Sequence, residues 1–498
     1  MPRKHPRDYF LDHNLLYIGT AINPIVKELT DVVKDNLEGR MKGRDNFETA
    51  VKIIVLNLFN AYRVDARMPV GIPRDSGYYT DIHNLGFRSF VGSVDALEKA
   101  GYISLVSKGV HKNFGSVAID NDFVKSATTT YKATSKLAKY FEKLNLYSLK
   151  VDHDHFHSVR VGKGGEKMIP LKKMKRGKKF LQLRETNKII NEYYDSIHID
   201  LCVTDDELTT IRKQMSNREA RKKFEELEDD DVLYDLNFRR KYHHRKFWSE
   251  KYDKHGRFYG CWWQGIPSEW RKRITINNIL TSEMDYTCMH FAMLYHQRKL
   301  KMTNQGDLYD LSKAVKGWKN RAYREEVKLI MNYMLNCKDA KQVEDVIKSK
   351  REQFPKVPEG FDTWTDFINF IEDQHSPIAD NFYSNKGIEL MYLDQLIAEK
   401  IILEGIKNDV CILSVHDSFI FKHTHQDKVM NWMNEAYDDV IGKYGKSFTW
   451  DILRLKHLDT LAELQDKDID SYLNRLQEWN WHRQYYGDSS LPLALPQQ

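Results

Sequence analysis

At 498 residues, with 41% hydrophobic and 12% aromatic content, the chain has material for roughly two to four domains with true cores, which excludes wholesale disorder. It carries no apolar run of the roughly 18 residues a membrane span needs, and the basic start Met1-Pro-Arg-Lys-His-Pro-Arg7 leads into no apolar stretch, so a cytoplasmic protein with no membrane partner is expected. The net charge of +6 is mild, which leaves its distribution as the informative quantity; the five scattered cysteines, with no C-x-x-C pair, argue against a disulfide framework or a zinc ribbon.

The first region, 1–145, has apolar helical patterns at Phe47 to Tyr62 and at Leu85 to Ala100, the latter stopping at Gly101. Tyr102-Ile-Ser-Leu-Val and Ser116-Val-Ala-Ile119 flank a Gly/Lys/Asn-rich loop and predict a hairpin. A helix running straight into a hairpin resembles a winged-helix nucleic-acid-binding module; an unrelated helix-strand unit is the alternative.

The second region, 146–250, is basic. Lysines and arginines bunch at Lys163 to Lys179 and at Arg239 to Lys246, the latter interleaved with Tyr242 and followed by Phe247 and Trp248. Basic residues among aromatics grip phosphate and stack bases, although a solvated charged face explains the first cluster equally well. A charged helix is predicted at Thr209 to Leu227, and the acidic run Glu225 to Asp231 reads as exposed. Asp152-His-Asp-His-Phe-His157 offers donors suited to zinc or iron, with solvated surface as the plainer reading.

The third region, 251–498, carries the chemistry. A short extended run from Ile279 ends at Asp285, after which Met289, Met293 and Leu294 recur at helical spacing. Arg321, Arg324, Lys328 and Asn332 are spaced by three and four, which predicts one basic helix face, unless Glu325 and Glu326 pair with it as ordinary surface. A long amphipathic helix from Gly387 to Glu404 leads into Cys411-Ile-Leu-Ser-Val-His-Asp-Ser-Phe-Ile-Phe421, two apolar runs with Asp417 at the turn between them. A turn aspartate often bonds only its own backbone. Two strand-borne aspartates, however, can converge on neighbouring positions and hold a pair of magnesium ions about 4 Å apart.

In order, Asp253-Lys-His-Gly256-Arg257-Phe-Tyr259, Asp285-Tyr286-Thr, Arg324-x-x-x-Lys328 and Val415-His416-Asp417-Ser418-Phe419 resemble motifs of the A-family DNA polymerases and the single-subunit, phage-type RNA polymerases. The resemblance implies an α+β fold with a right-hand palm built on an antiparallel sheet and small helical fingers; it says little about residues 1–250, where the apolar patterns of 1–145 predict a largely helical N-terminal region and basic 146–250 would be a thumb-like or template-binding connection. It implies a template-directed nucleotidyltransferase whose partners are a DNA template, nucleoside triphosphates and an RNA or DNA product strand. Asp285 and Asp417 would be the ligands of two Mg²⁺ ions, with Mn²⁺ able to substitute. Arg321, Arg324 and Lys328 would bind the triphosphate, Tyr286, His290 and Asn336 would contact the nucleotide, His416 would support the primer end, and Gly256, Arg257 and Tyr259 would meet the template.

Asp-Tyr at the first metal motif is the DNA-polymerase form, whereas the Gly-Arg element and His-Asp-Ser-Phe lean towards RNA polymerases. His290 stands where the DNA polymerases place a glutamate that screens the 2'-hydroxyl, and Asn336 where both branches usually place a tyrosine. Both residues can hydrogen-bond a hydroxyl, which favours RNA synthesis by a DNA-dependent RNA polymerase or primase. The alternatives are a compact A-family-like DNA polymerase and a non-catalytic replication-initiator DNA-binding protein; a metal phosphohydrolase is disfavoured because both flanks of His416-Asp417 read as strand.

Overall fold

The computed structural model describes residues 9–37, 47–79, 86–109, 128–151, 159–163, 167–168, 177–223, 236–300, 307–442, 448–450 and 469–485. Its N-terminal part runs β1 (Tyr9–Phe10), β2 (Leu15–Tyr17), α1 (Ile22–Asn36), α2 (Phe47–Val64), β3 (Val70–Ile72), α3 (Ser76–Tyr79), α4 (Phe87–Lys99), β4 (Ile103–Ser107), β5 (Thr129–Ala133), α5 (Ser135–Phe141) and β6 (Leu149–Val151). Helix α2 is apolar on nearly every face and is accordingly buried, with Val51, Ile54, Val55, Leu56 and Phe59 at 0% exposure. Four strands in the order β1-β3-β5-β4 accompany helices that hold most of this part's regular structure. Val70–Ile72 and Thr129–Ala133 are too short to announce themselves by alternation, and pairing with each other is what makes them strands.

Helix α4 ends where expected, at Gly101 with φ 75°. Strand β4 then pairs antiparallel with β5. Ser116 to Ile119, its expected partner, lies outside the described residues, as do the Asp152 to His157 cluster, Lys172 to Arg176 and the acidic run Glu225 to Asp231.

The middle of the chain contributes β7 (Val159–Lys163), β8 (Lys167–Met168), α6 (Lys178–Ser196), β9 (Ile199–Leu201), α7 (Asp205–Lys223), β10 (His244–Phe247) and β11 (His255–Tyr259). Helix α7 begins earlier than its apolar pattern suggests because Thr204 and Glu207 form a reciprocal cap: the Thr204 hydroxyl accepts from the Glu207 amide at 3.2 Å, and the Glu207 carboxylate from the Thr204 amide at 2.9 Å.

The last part comprises β12 (Ile274–Ile276), β13 (Ile279–Tyr286), α8 (Met289–Gln297), α9 (Arg324–Asn336), α10 (Ala340–Ser349), α11 (Trp364–Gln374), α12 (Gly387–Lys407), β14 (Ile412–Val415), β15 (Ser418–Lys422), α13 (Gln426–Val440), β16 (Phe448–Trp450) and α14 (Asp470–Tyr485). Its sheet has the order β14-β15-β13-β12-β9, with β16 also on β13, and every pairing is antiparallel. The α+β expectation therefore holds at the level of helices with antiparallel sheet.

Strand β9 and helix α6 join this sheet's core, and the Tyr194 hydroxyl donates to the Ile412 carbonyl at 2.6 Å. A separate core gathers residues between Leu11 and Leu149. Strands β14 and β15 anchor firmly because Ile412, Leu413, Phe419, Ile420 and Phe421 are all at most 1% exposed. Each such burial contributes about 1.5–3 kcal/mol. No helix among the described residues is long and apolar enough to cross a membrane.

Candidate active site

Strand β13 pairs along β15 so that Asp285 stands opposite Ser418, and the Tyr286 amide reaches the Asp417 carbonyl at 3.5 Å. Val415 pairs with Ser418 across the hairpin, which leaves His416 and Asp417 as a two-residue turn. His416 has φ 61°, the left-handed conformation that primed hairpin turns require and that glycine usually supplies. Strain of this kind collects at working sites, and here it breaks the strict alternation of the strand. Asp285 and Asp417 consequently line the same cleft of about 270 Å³.

The Asp285 carboxyl is strongly perturbed. Burial raises the Asp285 carboxyl and the negative charges of Asp417 and Glu283 add to it, so that it is pushed up to about 8 even though Lys328 and Arg271 pull it down. Its Oδ1 is buried without a hydrogen-bond partner. Such an oxygen is open to a water or a cation. Among the described residues no three His, Cys, Asp or Glu side chains gather into a preformed cage. Two carboxylates nonetheless suit Mg²⁺, which keeps water and substrate phosphates in its remaining positions rather than a full protein cage.

Opposite the carboxylates, α9 presents Arg324, Lys328, Asn332 and Asn336 to the cleft. Lys328 is half-exposed, 3.9 Å from Glu325. Arg324 donates from Nε to Asp307 at 2.7 Å and from Nη1 to Glu325 at 2.7 Å, and stands over the Tyr309 ring. Arg321 does not share this face. It has φ 61° and Tyr323 φ 55°, so the helix can start only at Arg324, and Arg321 stays exposed, 3.8 Å from Asp307.

The remaining sequence candidates divide. His290, on the first turn of α8, lines the cleft and contacts Asp394 of α12 at 3.0 Å. Asn336 also lines it, its amide donating to the Asn332 carbonyl at 2.8 Å, and it lies so close to Gly387 that any side chain there would overlap it. Tyr286 borders the cleft, but its hydroxyl is taken by the Met433 carbonyl and its ring packs on Phe419 and Tyr437, so it offers a nucleotide no hydroxyl. His416 lines the cleft with Nδ1 lacking a partner, and burial lowers its basicity.

Arg257 reaches the cleft while its Nε and Nη2 bind Asp394. Tyr259 lies outside the cleft lining, stacked on His255 with centroids 5.7 Å apart and edge-on to His416 at 5.6 Å. Gly256 is buried, not open to a nucleic-acid strand: its φ of 91° and the Phe247 ring over it account for the glycine, and its carbonyl accepts from Arg245 at 2.8 Å. Sequence reading missed Asp394, Asp307 and Glu283, whose partners lie far away along the chain or on the adjoining strand.

A larger cavity of about 530 Å³ is lined by residues of α2, β9 and α14. Its lining is basic, with Arg63, Lys150, Arg212, Arg239, Lys241 and Arg475 against Asp195, Asp200 and Glu478; Arg475 pairs with Asp200 at 2.8 Å, and Lys241 donates to the Ile197 carbonyl at 2.7 Å and stands over the Trp479 ring.

No family model and no curated protein matches the chain. Among solved structures it is similar to the POL domain of Pol1 from M. smegmatis in complex with DNA primer-template and dNTP, at 12% identity and a TM-score of 0.23, over 39% of this chain and 45% of that one. The chain thus spans under half the length of that structure, and a likeness at this score carries no argument.

Proposed function

We propose that the chain is a template-directed nucleotidyltransferase that extends a strand from nucleoside triphosphates, with residues 251–498 as palm and fingers. The observation that carries this reading is the pairing of a buried, uncompensated Asp285 with Asp417 across one cleft from the cationic face of α9. Phosphoryl transfer asks for little else, because positioning and charge neutralisation supply most of its catalysis.

Asp285 and Asp417 would hold two Mg²⁺ ions, which when bound supply the positive charge that favours an attacking 3'-oxygen and a departing pyrophosphate. Lys328 and Arg324 bind the β- and γ-phosphates, Arg324 exchanging Asp307 and Glu325 for them. His416, packed against Tyr259, supports the primer end beside Asp417. The basic and aromatic residues around Trp248, His255 and Tyr259 serve the template. Residues 1–145, with α4 and the β4/β5 pair, act as an accessory nucleic-acid-binding module, and 146–250 as a thumb-like or template-binding connection.

Ribonucleotides are the substrates we favour, because His290 and Asn336 line the same cleft and both side chains can bond a hydroxyl. The test is extension of a primed and an unprimed single-stranded DNA template with Mg²⁺ and either all four rNTPs or all four dNTPs. Product with rNTPs supports RNA synthesis; product with dNTPs alone would leave a compact DNA polymerase. No product in any mixture would overturn the enzyme reading.

A further inference from the structure

Asp394 sits on α12 and is 2% exposed, more than a hundred residues from either group that it binds. One oxygen, Oδ2, receives Nε and Nη2 of Arg257 and lies 3.0 Å from Nε2 of His290. Arg257 Nη2 and His290 Nε2 are themselves 3.1 Å apart. Burial alone would raise the Asp394 carboxyl, but Arg257 and the His290 hydrogen bond outweigh it and hold it below the usual carboxylate range. Both groups that it grips line the cleft.

This geometry occupies one ring nitrogen. Nε2 faces a carboxylate oxygen, which can only accept, and a guanidinium nitrogen with two hydrogens, which can only donate. Whichever of the two it bonds, Nε2 is taken, and Nδ1 is the ring nitrogen left for a ligand. The ring cannot turn without breaking the contact, so His290 presents one nitrogen in one orientation.

We propose that Asp394 is the positioning residue for sugar selection: it locks His290 and Arg257 into a single unit so that Nδ1 meets a ribose hydroxyl, making the preference between ribo- and deoxyribonucleotides depend on a side chain that never touches the nucleotide. A site built to bond a hydroxyl rejects a sugar without one because its own polar group is then left unpaired. The inference rests on the strand-extension reading above.

The test compares rNTP with dNTP incorporation, as the ratio of kcat/KM values, for the wild-type chain, Asp394→Asn, His290→Ala and the double variant. Thermal melting of each confirms that it is folded. Asp394→Asn should lower the ratio by roughly ten- to a hundredfold, His290→Ala should lower it similarly, and the double variant should be no worse than either, because Asp394 acts through His290. The same ratio read from equilibrium binding of ATP and dATP should move in parallel. A loss of turnover that is equal for both sugars, or losses that multiply in the double variant, would overturn the proposal while leaving strand extension intact. Absence of product from the wild-type chain would overturn both.

Discussion

Replacing Asp285 by Asn removes one negative charge at nearly constant shape, and the structure sets both the sign and the size of the result. The Asp285 carboxyl is raised from 3.8 to about 8, first by burial and then by Asp417 and Glu283. Between those values the folded protein holds a proton that the unfolded chain has released, so stability falls as pH rises through that window and is flat above it. The full interval is worth about 5–6 kcal/mol at about 1.4 kcal/mol per pH unit. Water in the open cleft screens the charge and reduces this to about 2–4 kcal/mol.

Asp285→Asn should therefore stabilise the metal-free protein near pH 9 and change little near pH 4. For a domain of this size each kcal/mol moves the melting temperature by about 2–4 °C, so a rise of about 4–16 °C is expected, read by thermal unfolding with a chelator present. Added Mg²⁺ should raise the wild-type melting temperature and leave the variant nearly unmoved. A variant no more stable than wild type near pH 9, or a gain of equal size at both pH values, would refute the assignment of an uncompensated buried carboxylate.

Three further perturbations follow from the same structure. Lys328→Gln should lower kcat/KM for nucleotide by roughly ten- to a hundredfold with no change in melting temperature; unaltered steady-state kinetics would remove Lys328 from the triphosphate site. Gly256→Ala meets both a φ of 91° and the Phe247 ring, and should cost at least about 2 kcal/mol, seen as a lower urea midpoint. Glu399→Gln leaves the fully buried Arg245 without its carboxylate partner at 2.6 Å and should cost about 3 kcal/mol; a midpoint within error of wild type would mean that Gln395 alone satisfies the guanidinium.

What could be read in advance was local. Two apolar runs around His416-Asp417 announce a hairpin, and Ile279 to Asp285 followed by a helical pattern announces strand, carboxylate, helix; β13, α8, β14 and β15 have that form. Spacing also brings Arg324, Lys328 and Asn332 to one face. It fails for Arg321, because spacing cannot foresee the left-handed backbone at Arg321 and Tyr323. Gly256 has the same lesson: the residue type signals a close approach, but only packing reveals that Phe247 makes it.

Asp394 was hidden for a different reason. It falls within the amphipathic pattern of α12, and its partners Arg257 and His290 come from β11 and α8. A contact across such separations leaves no local signature. The two-strand pairing of β3 with β5 was illegible for the same reason, since each run is short and stabilised by the other.

The most direct measurement is a side-by-side assay of wild type and Asp417→Asn for Mg²⁺-dependent extension of a labelled primer on a DNA template, with DNA affinity determined on the same preparations. The two-metal account predicts that the variant binds the primer-template as tightly as wild type and adds no nucleotide that can be detected. Extension by the variant at a wild-type rate would contradict it, as would wild-type protein that binds DNA and never extends it.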